Sequence, residues 1–291
     1  RPGLIQLEIG VQSTNDATIT EIHRTMQLDR LKAVVRSIQE KENIHEHLDL
    51  IAGLPYEGYE TFARSFDEIY ALKPNQLQLG FLKVLKGSYM YEHATEYGLI
   101  YRSRPPYEVL KTNWLGFGEI LRIRQVEEIL EVYYNSGHAT AIRLLETQYA
   151  SAFAMFAELG TFYEEHGYFG MGHSRMRRAE ILLEFAKERK PGLLPVLGEG
   201  LVYDLYEREN LGSRPSWAAD ANEWKQMTRQ YGKNGKQSHI ERFFYRFSGH
   251  RQDTASLPER LEDPVYVRFD YTRRDPLDHQ ARHEYLEPSG E

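Results

Sequence analysis

The sequence predicts an α/β region followed by a mainly helical one, and three observations carry that expectation. In the first hundred residues strand patterns alternate with helix patterns; each of the three strands has one apolar and one polar face; and beyond residue 104 the alternation stops and helical patterns follow one another.

The opening stretch LIQLEIGV, Leu4 to Val11, places Leu7, Ile9 and Val11 on one face of a strand and Gln6, Glu8, Gly10 and Gln12 on the other. It runs into Ser13-Thr14-Asn15-Asp16, a cluster of helix-capping residues, and a helical pattern that ends near Arg24. A second helical pattern, about Asp29 to Lys41, aligns Leu31, Val34, Val35 and Ile38 and leads to HEHLDLIAGLP, a strand from His47 to Ala52 closed by the turn Gly53-Leu54-Pro55. The amphipathic run YETFARSFDEIYALK then feeds, past Lys73-Pro74-Asn75, a third strand over Leu77 to Val84. Strands and helices alternating at this length predict parallel βαβ units. His47, Asp49 and Ile51 oppose Leu48, Leu50 and Ala52, and Gln76, Gln78 and Gly80 oppose Leu77, Leu79 and Phe81. Central strands of an open sheet covered on both faces are apolar throughout. One polar face in three successive strands therefore predicts a partial parallel (β/α) barrel, with helices outside and a wet functional cavity inside.

The texture changes at SRPPY, and the boundary is drawn near Pro105: residues 1–104 as the barrel part, residues 105–291 as a mainly helical domain with a small β tail. Helices are expected at about 116–136, 148–166, 174–190 and 215–231, and tail strands in HIERFFYRFS and PVYVRFDYTRRDPL, on either side of a polar loop over 249–263.

Composition narrows the function. With 41% hydrophobic and 12% aromatic residues in 291, the chain is that of an ordinary globular protein. The formal charge of -7, with no long basic run, argues against nucleic acid as a partner, and RMRR at 175–178 reads as a solvated helix face. No apolar stretch approaches the roughly 20 residues that span a bilayer and no signal pattern opens the chain, so a cytoplasmic protein without a membrane partner is expected. Arg1 stands where Met would, and a strand follows almost at once, so a fragment of a longer protein is expected. Without cysteine, these residues supply no disulfide, thiolate nucleophile or cysteine-bound metal.

In α/β sheets and barrels ligands bind at the carboxyl ends of the strands. Gln12, Asp49 and the Gly53-Leu54-Pro55 turn lie at such ends, and Glu8 and Gln78 face the same way slightly deeper. A buried polar side chain costs about 1–3 kcal/mol unless it finds a partner, so repeating it in three strands marks a functional surface. His45 and His47 have the spacing of a metal pair but no third ligand, and no metal site is expected there. GYFGMG, between His166 and His173, is read as an interhelical turn, because no strand precedes it as in a phosphate loop.

The runs GVQSTNDATITEIHR, HLDLIAGLP and QLQLGFLKVLKGS resemble the second half of the radical S-adenosylmethionine barrel, as in oxygen-independent coproporphyrinogen oxidases and cobalamin-binding radical enzymes. FLKVLKGS and the long helical remainder look most like the cobalamin-binding branch with a C-terminal domain of the DUF4080 type. The resemblance implies S-adenosylmethionine as cofactor. Gln12, Asp49 and Arg24 fall at positions that contact it, the first two at its sugar or amino-acid end and the arginine at its carboxylate, with Glu8, Ser13, Gly53, Leu54 and Pro55 beside them. It further implies reductive cleavage to a 5′-deoxyadenosyl radical that acts on an unknown small-molecule substrate. Members bind a [4Fe–4S] cluster through CxxxCxxC, which this chain lacks, so the cluster, any cobalamin and the N-terminal half of the barrel are expected outside it. Two other readings stay open: a barrel hydrolase or lyase using Glu8 and Asp49 as an acid–base pair, and a helical interaction module without catalysis.

Overall fold

The computed structural model describes residues 2–232, 237–248, 253 and 255–286. Its first hundred residues run β1 (Ile5–Gln12), α1 (Asp16–Glu21), α2 (Leu28–Gln39), β2 (Ile44–Ala52), α3 (Tyr59–Tyr70), β3 (Gln76–Phe81), α4 (Tyr89–Glu92) and β4 (Ile100–Tyr101). The first three strands form one sheet in the order β1-β2-β3, parallel throughout, as the alternation predicts. Glu8 stands opposite His47, Gly10 opposite Asp49, and Asp49 opposite Gln78, so the polar residues of the three strands share a face. On the other face Leu48, Leu50, Ala52 and Leu77 are fully buried, with Val35 of α2 and Phe62, Phe66 and Ile69 of α3 among the same core.

The outer edge of β3 is closed by a side chain. After β5 (Val109–Lys111) and α5 (Phe117–Ile129), a π-helical turn over Leu130–Asn135 delivers the Asn135 carboxamide to the edge. There it accepts from the N–H of Leu77 at 3.1 Å and donates to the Leu77 carbonyl at 2.9 Å, as a neighbouring strand would.

The chain divides into two compact units, Arg1–Asn135 with Ser151–Tyr168, and Ser136–Ala150 with Phe169–Glu291. Pro105 lies inside the first, so the division is not at the composition change. Phe153 and Phe156 pack on Phe66 of α3, and Asp67 beside it takes the Ser151 hydroxyl at 2.7 Å and the Phe153 N–H at 2.7 Å with its carboxylate. It thereby caps α7 (Ala152–Glu165), which follows α6 (Ala139–Glu146), and holds α7 in the first unit.

The second unit is α6, α8 (Arg175–Arg189), α9 (Leu194–Arg208), α10 (Lys225–Tyr231), β6 (Ser238–Phe243), β7 (Val265–Arg274) and β8 (Ala281–Leu286), the strands antiparallel in the order β6-β7-β8. The helix patterns find α5, α7 and α8, while the one expected at 215–231 is helical only from Ala221, first as a 3₁₀ turn. Two helices and a strand escaped that reading. α9 begins Leu-Pro and contains Gly198 and Gly200, residues that weaken a helical pattern; yet proline is tolerated in a first turn, and Gly200 leaves room for Leu144 of α6, whose Cδ1 lies 2.7 Å from where a Cβ would stand. α6 is capped from 64 residues away, by Asp204 accepting from the N–H of Thr140 and Ala141 at 3.0 and 2.9 Å. β8 lies past the expected tail. Residues 249–252 and 254 of the expected polar loop lie outside the described residues. The chain is thus mixed α/β, and among the described residues no helix is long and apolar enough to cross a membrane.

Glu46 is the exception on the apolar face of β2. It is fully buried, and that burial raises its carboxyl to about 7, opposed by the Gln39 amide. The folded state therefore holds a proton that the unfolded chain releases near 4.5, so this group's contribution falls as pH rises from about 4.5 to about 7. Glu46→Gln is expected to stabilise the protein by about 1–3 kcal/mol at pH 8 and little at pH 4, flattening the slope between them, measured by urea unfolding across that range.

Candidate functional site

The end of β1 is bulged. Its register against β2 shifts between Gly10 and Gln12, and Gln12 takes a left-handed backbone with φ 71°. The N–H of Val11 is met by the Asp49 carboxylate, Oδ1 at 3.0 Å, while Oδ2 accepts from Gln12 Nε2 at 3.4 Å. Bulges of this kind re-aim a side chain at the rim of a sheet. Here Gln12 is turned back across the polar face. Gly10 makes the room: a Cβ there would stand 2.9 Å from Gln12 Nε2 and 3.5 Å from both Arg24 Nη1 and Asp49 Oδ1. Three residues from three different elements thus converge on one spot at the carboxyl end of the strands.

Burial raises the Asp49 carboxyl above its ordinary range; the Val11 N–H and the charges of His47 and Arg24 pull it back, and Glu8 pushes it up. Glu8 itself is exposed on the same face, as is Gln78. The cluster offers a carboxylate with accepting capacity left, an amide and a guanidinium, groups suited to hydroxyls and a carboxylate respectively. Arg24 is positioned by the end of α1. Its N–H closes on the Ile19 carbonyl at 3.0 Å, and Glu21 is held by the Tyr97 hydroxyl and by the Tyr89 hydroxyl at 3.2 Å. Tyr89 also meets His23 edge-on at 4.8 Å.

Beneath the cluster lies a carboxylate that the sequence reading did not single out. Glu57 is fully buried and accepts from the hydroxyls of Ser13 at 2.6 Å and Ser65 at 2.9 Å. The Ser13 oxygen accepts the Asn15 N–H at 3.0 Å, and Thr18 donates to the Pro55 carbonyl at 2.8 Å. These bonds tie the loop after β1 to the loop after β2. Burial raises the Glu57 carboxyl and the two serines oppose it. Ser13, Leu54 and Pro55, expected at a cofactor, are buried inside this tie and position the loops. Gly53 adopts φ 91°, which disfavours any residue with a Cβ. His45 and His47 lie towards the other end of β2 from Gly53, and among the described residues no group of three or more His, Cys, Asp or Glu could hold a metal ion.

Fold and site together define an α/β protein with a polar cluster at the carboxyl edge of a parallel sheet, followed by a unit of helices and antiparallel strands. Residues 95–260 match the family model described as a protein of unknown function (DUF4080), more than half of the chain, and the chain belongs to that family. No curated protein matches it. The cluster of Gln12, Arg24 and Asp49 precedes the matched residues.

A Cβ on Gly53 would stand 2.5 Å from Val109 Cγ1. Gly53→Ala is therefore expected to cost about 2–4 kcal/mol, from the positive φ and the overlap together. Val109→Ala in the same chain should return the overlap part only, which a double-mutant cycle by denaturant unfolding measures.

Proposed function

We propose that this chain forms part of a radical S-adenosylmethionine enzyme, its three parallel strands being a segment of the barrel wall that faces the cofactor. The observation that supports this most is the convergence of Gln12, Arg24 and Asp49 around Gly10. They are the three residues that the resemblance matches to cofactor contacts, and they come from a strand, the turn after a helix and a second strand. Asp49 and Gln12 would hold hydroxyls of the sugar and the amino-acid end, and Arg24 the carboxylate. S-adenosylmethionine would supply, on one-electron reduction, the 5′-deoxyadenosyl radical of the family. The chain's own residues would bind and orient it on the polar face. With no cysteine they do not fit an iron–sulfur cluster, and neither that cluster nor cobalamin is assigned a ligand here.

The acid–base alternative has one observation in its favour: Asp49 is raised, with Glu8 among the causes. That reading needs no nucleoside, so the same experiment separates the two.

Titration calorimetry of the full-length protein with S-adenosylmethionine is expected to show that Asp49→Ala and Arg24→Ala each weaken binding by about 1.5–3 kcal/mol, with His45→Ala little changed. Unchanged affinity in both variants would remove the proposal. A second outcome follows from the missing thiolates. Given iron, sulfide and a strong reductant without oxygen, this chain alone should develop no [4Fe–4S] absorption and release no 5′-deoxyadenosine; release of 5′-deoxyadenosine by this chain alone would end the reading.

A further inference from the structure

The second unit carries an open-mouthed cavity of about 610 Å3, well away in sequence from the polar cluster and lined by described residues between Leu183 and Arg260. That size is within the range of small-molecule sites, about 300–1,000 Å3. α8 supplies Leu183 to its wall, α9 supplies Leu194, Pro195 and Val202, and the segment before the 3₁₀ turn supplies Trp217. The indole N–H is already donated to the Gly198 carbonyl at 3.1 Å, which holds the ring in place as a flat wall. Gly198 opens the space beside it. A Cβ there would lie 3.7 Å from Trp217 Cδ1 and 4.0 Å from Leu183 Cδ2, so any longer side chain at 198 would enter the cavity.

The charges around this apolar body are unevenly committed. Glu184 is gripped by Arg177 at 2.7 Å, Glu241 by the Arg214 fork at 2.6 and 2.7 Å, and Glu199 accepts the Phe244 N–H at 2.7 Å. Arg242 is paired with Glu223 at 2.6 Å. Two lining cations are left: Lys187, and Arg260, which lies over the Phe244 ring at 4.4 Å. Among the described residues neither is within an ion pair. Every lining carboxylate is thus held by a partner, whereas Lys187 has no ion-pair partner among the described residues and Arg260 meets only the Phe244 ring and, at longer range, the charge of Glu199; the rest of the lining is largely aromatic and aliphatic.

We propose that this cavity binds an amphipathic organic anion, a flat apolar body against Trp217, Leu183 and Val202 with one acidic head towards Lys187 and Arg260. A neutral molecule of the same shape would fill the cavity but leave the cations in water, and a cation would meet them unfavourably. The anion's preference comes from the head alone. It is screened by salt, because both cations are exposed.

The test uses two fluorescent probes of nearly one shape, the anion 8-anilinonaphthalene-1-sulfonate and the uncharged N-phenyl-1-naphthylamine, titrated into the protein with Trp emission followed alongside. The expected result is saturable binding of one molecule per chain, with the anion about tenfold tighter at low salt. Gly198→Leu should abolish binding of both while circular dichroism stays that of the parent. Lys187→Glu combined with Arg260→Glu should leave the neutral probe unchanged and bring the ratio to about one. No saturable binding to the parent protein would overturn the proposal, as would binding that persists in a folded Gly198→Leu. If that variant fails to fold, the charge-reversed protein decides: an anion preference it leaves intact is equally fatal.

Discussion

The buried carboxylate of Glu57 is the constraint on which the polar cluster depends. One of its oxygens accepts two serine hydroxyls, and those serines belong to the loop after β1 and to α3. The arrangement fixes Ser13 immediately after Gln12, and hence the point at which the bulged strand ends. Both hydroxyls share one oxygen, Oε1, whose two lone pairs suffice for them, while Oε2 is buried without a hydrogen-bond partner among the described residues. The cost is desolvation, visible in the raised carboxyl. That cost is borne one turn of chain away from the cluster, where it sets geometry without occupying the surface a ligand would use.

The cluster itself combines two devices. The strand bulge leaves an N–H without a ladder partner, and Asp49 takes it, so the carboxylate is oriented by the backbone of the strand next to its own. Arg24 arrives from a turn anchored by tyrosines. Neither device needs the rest of the sheet to be large. Three strands suffice to bring a strand, a helix end and a second strand to one point.

Much of the first hundred residues was legible because the signals there are local. Alternation with period two gave β1, β2 and β3, and their polar sides were found to share a face because each strand reads the same way. The parallel order followed from helices of the right length between them. The convergence of Gln12 and Asp49 was foreseeable from their places at strand ends, but the bulge that turns Gln12 back was not, since nothing in the residue types of GVQS demands it. Glu57 was missed for a related reason. A glutamate after a Gly-Leu-Pro turn reads as solvated loop, and only the fold brings Ser13 and Ser65 over it. In the second unit the misses share a cause, which is that the deciding contacts are distant in sequence. α6 is capped from α9, and α9 is stabilised by packing that outweighs its proline and glycines. β8 pairs only with β7.

Asn135 obstructs one edge of the parallel sheet. A strand adding beyond β3 would have to evict the carboxamide from both backbone groups of Leu77. Growth of copies edge to edge without limit needs two receptive edges on every copy, one to give and one to take. With the β3 edge obstructed at Leu77, such growth lacks one of the two. A single amide at the end of a π-helical turn therefore guards the β3 edge against open-ended addition of strands from other copies.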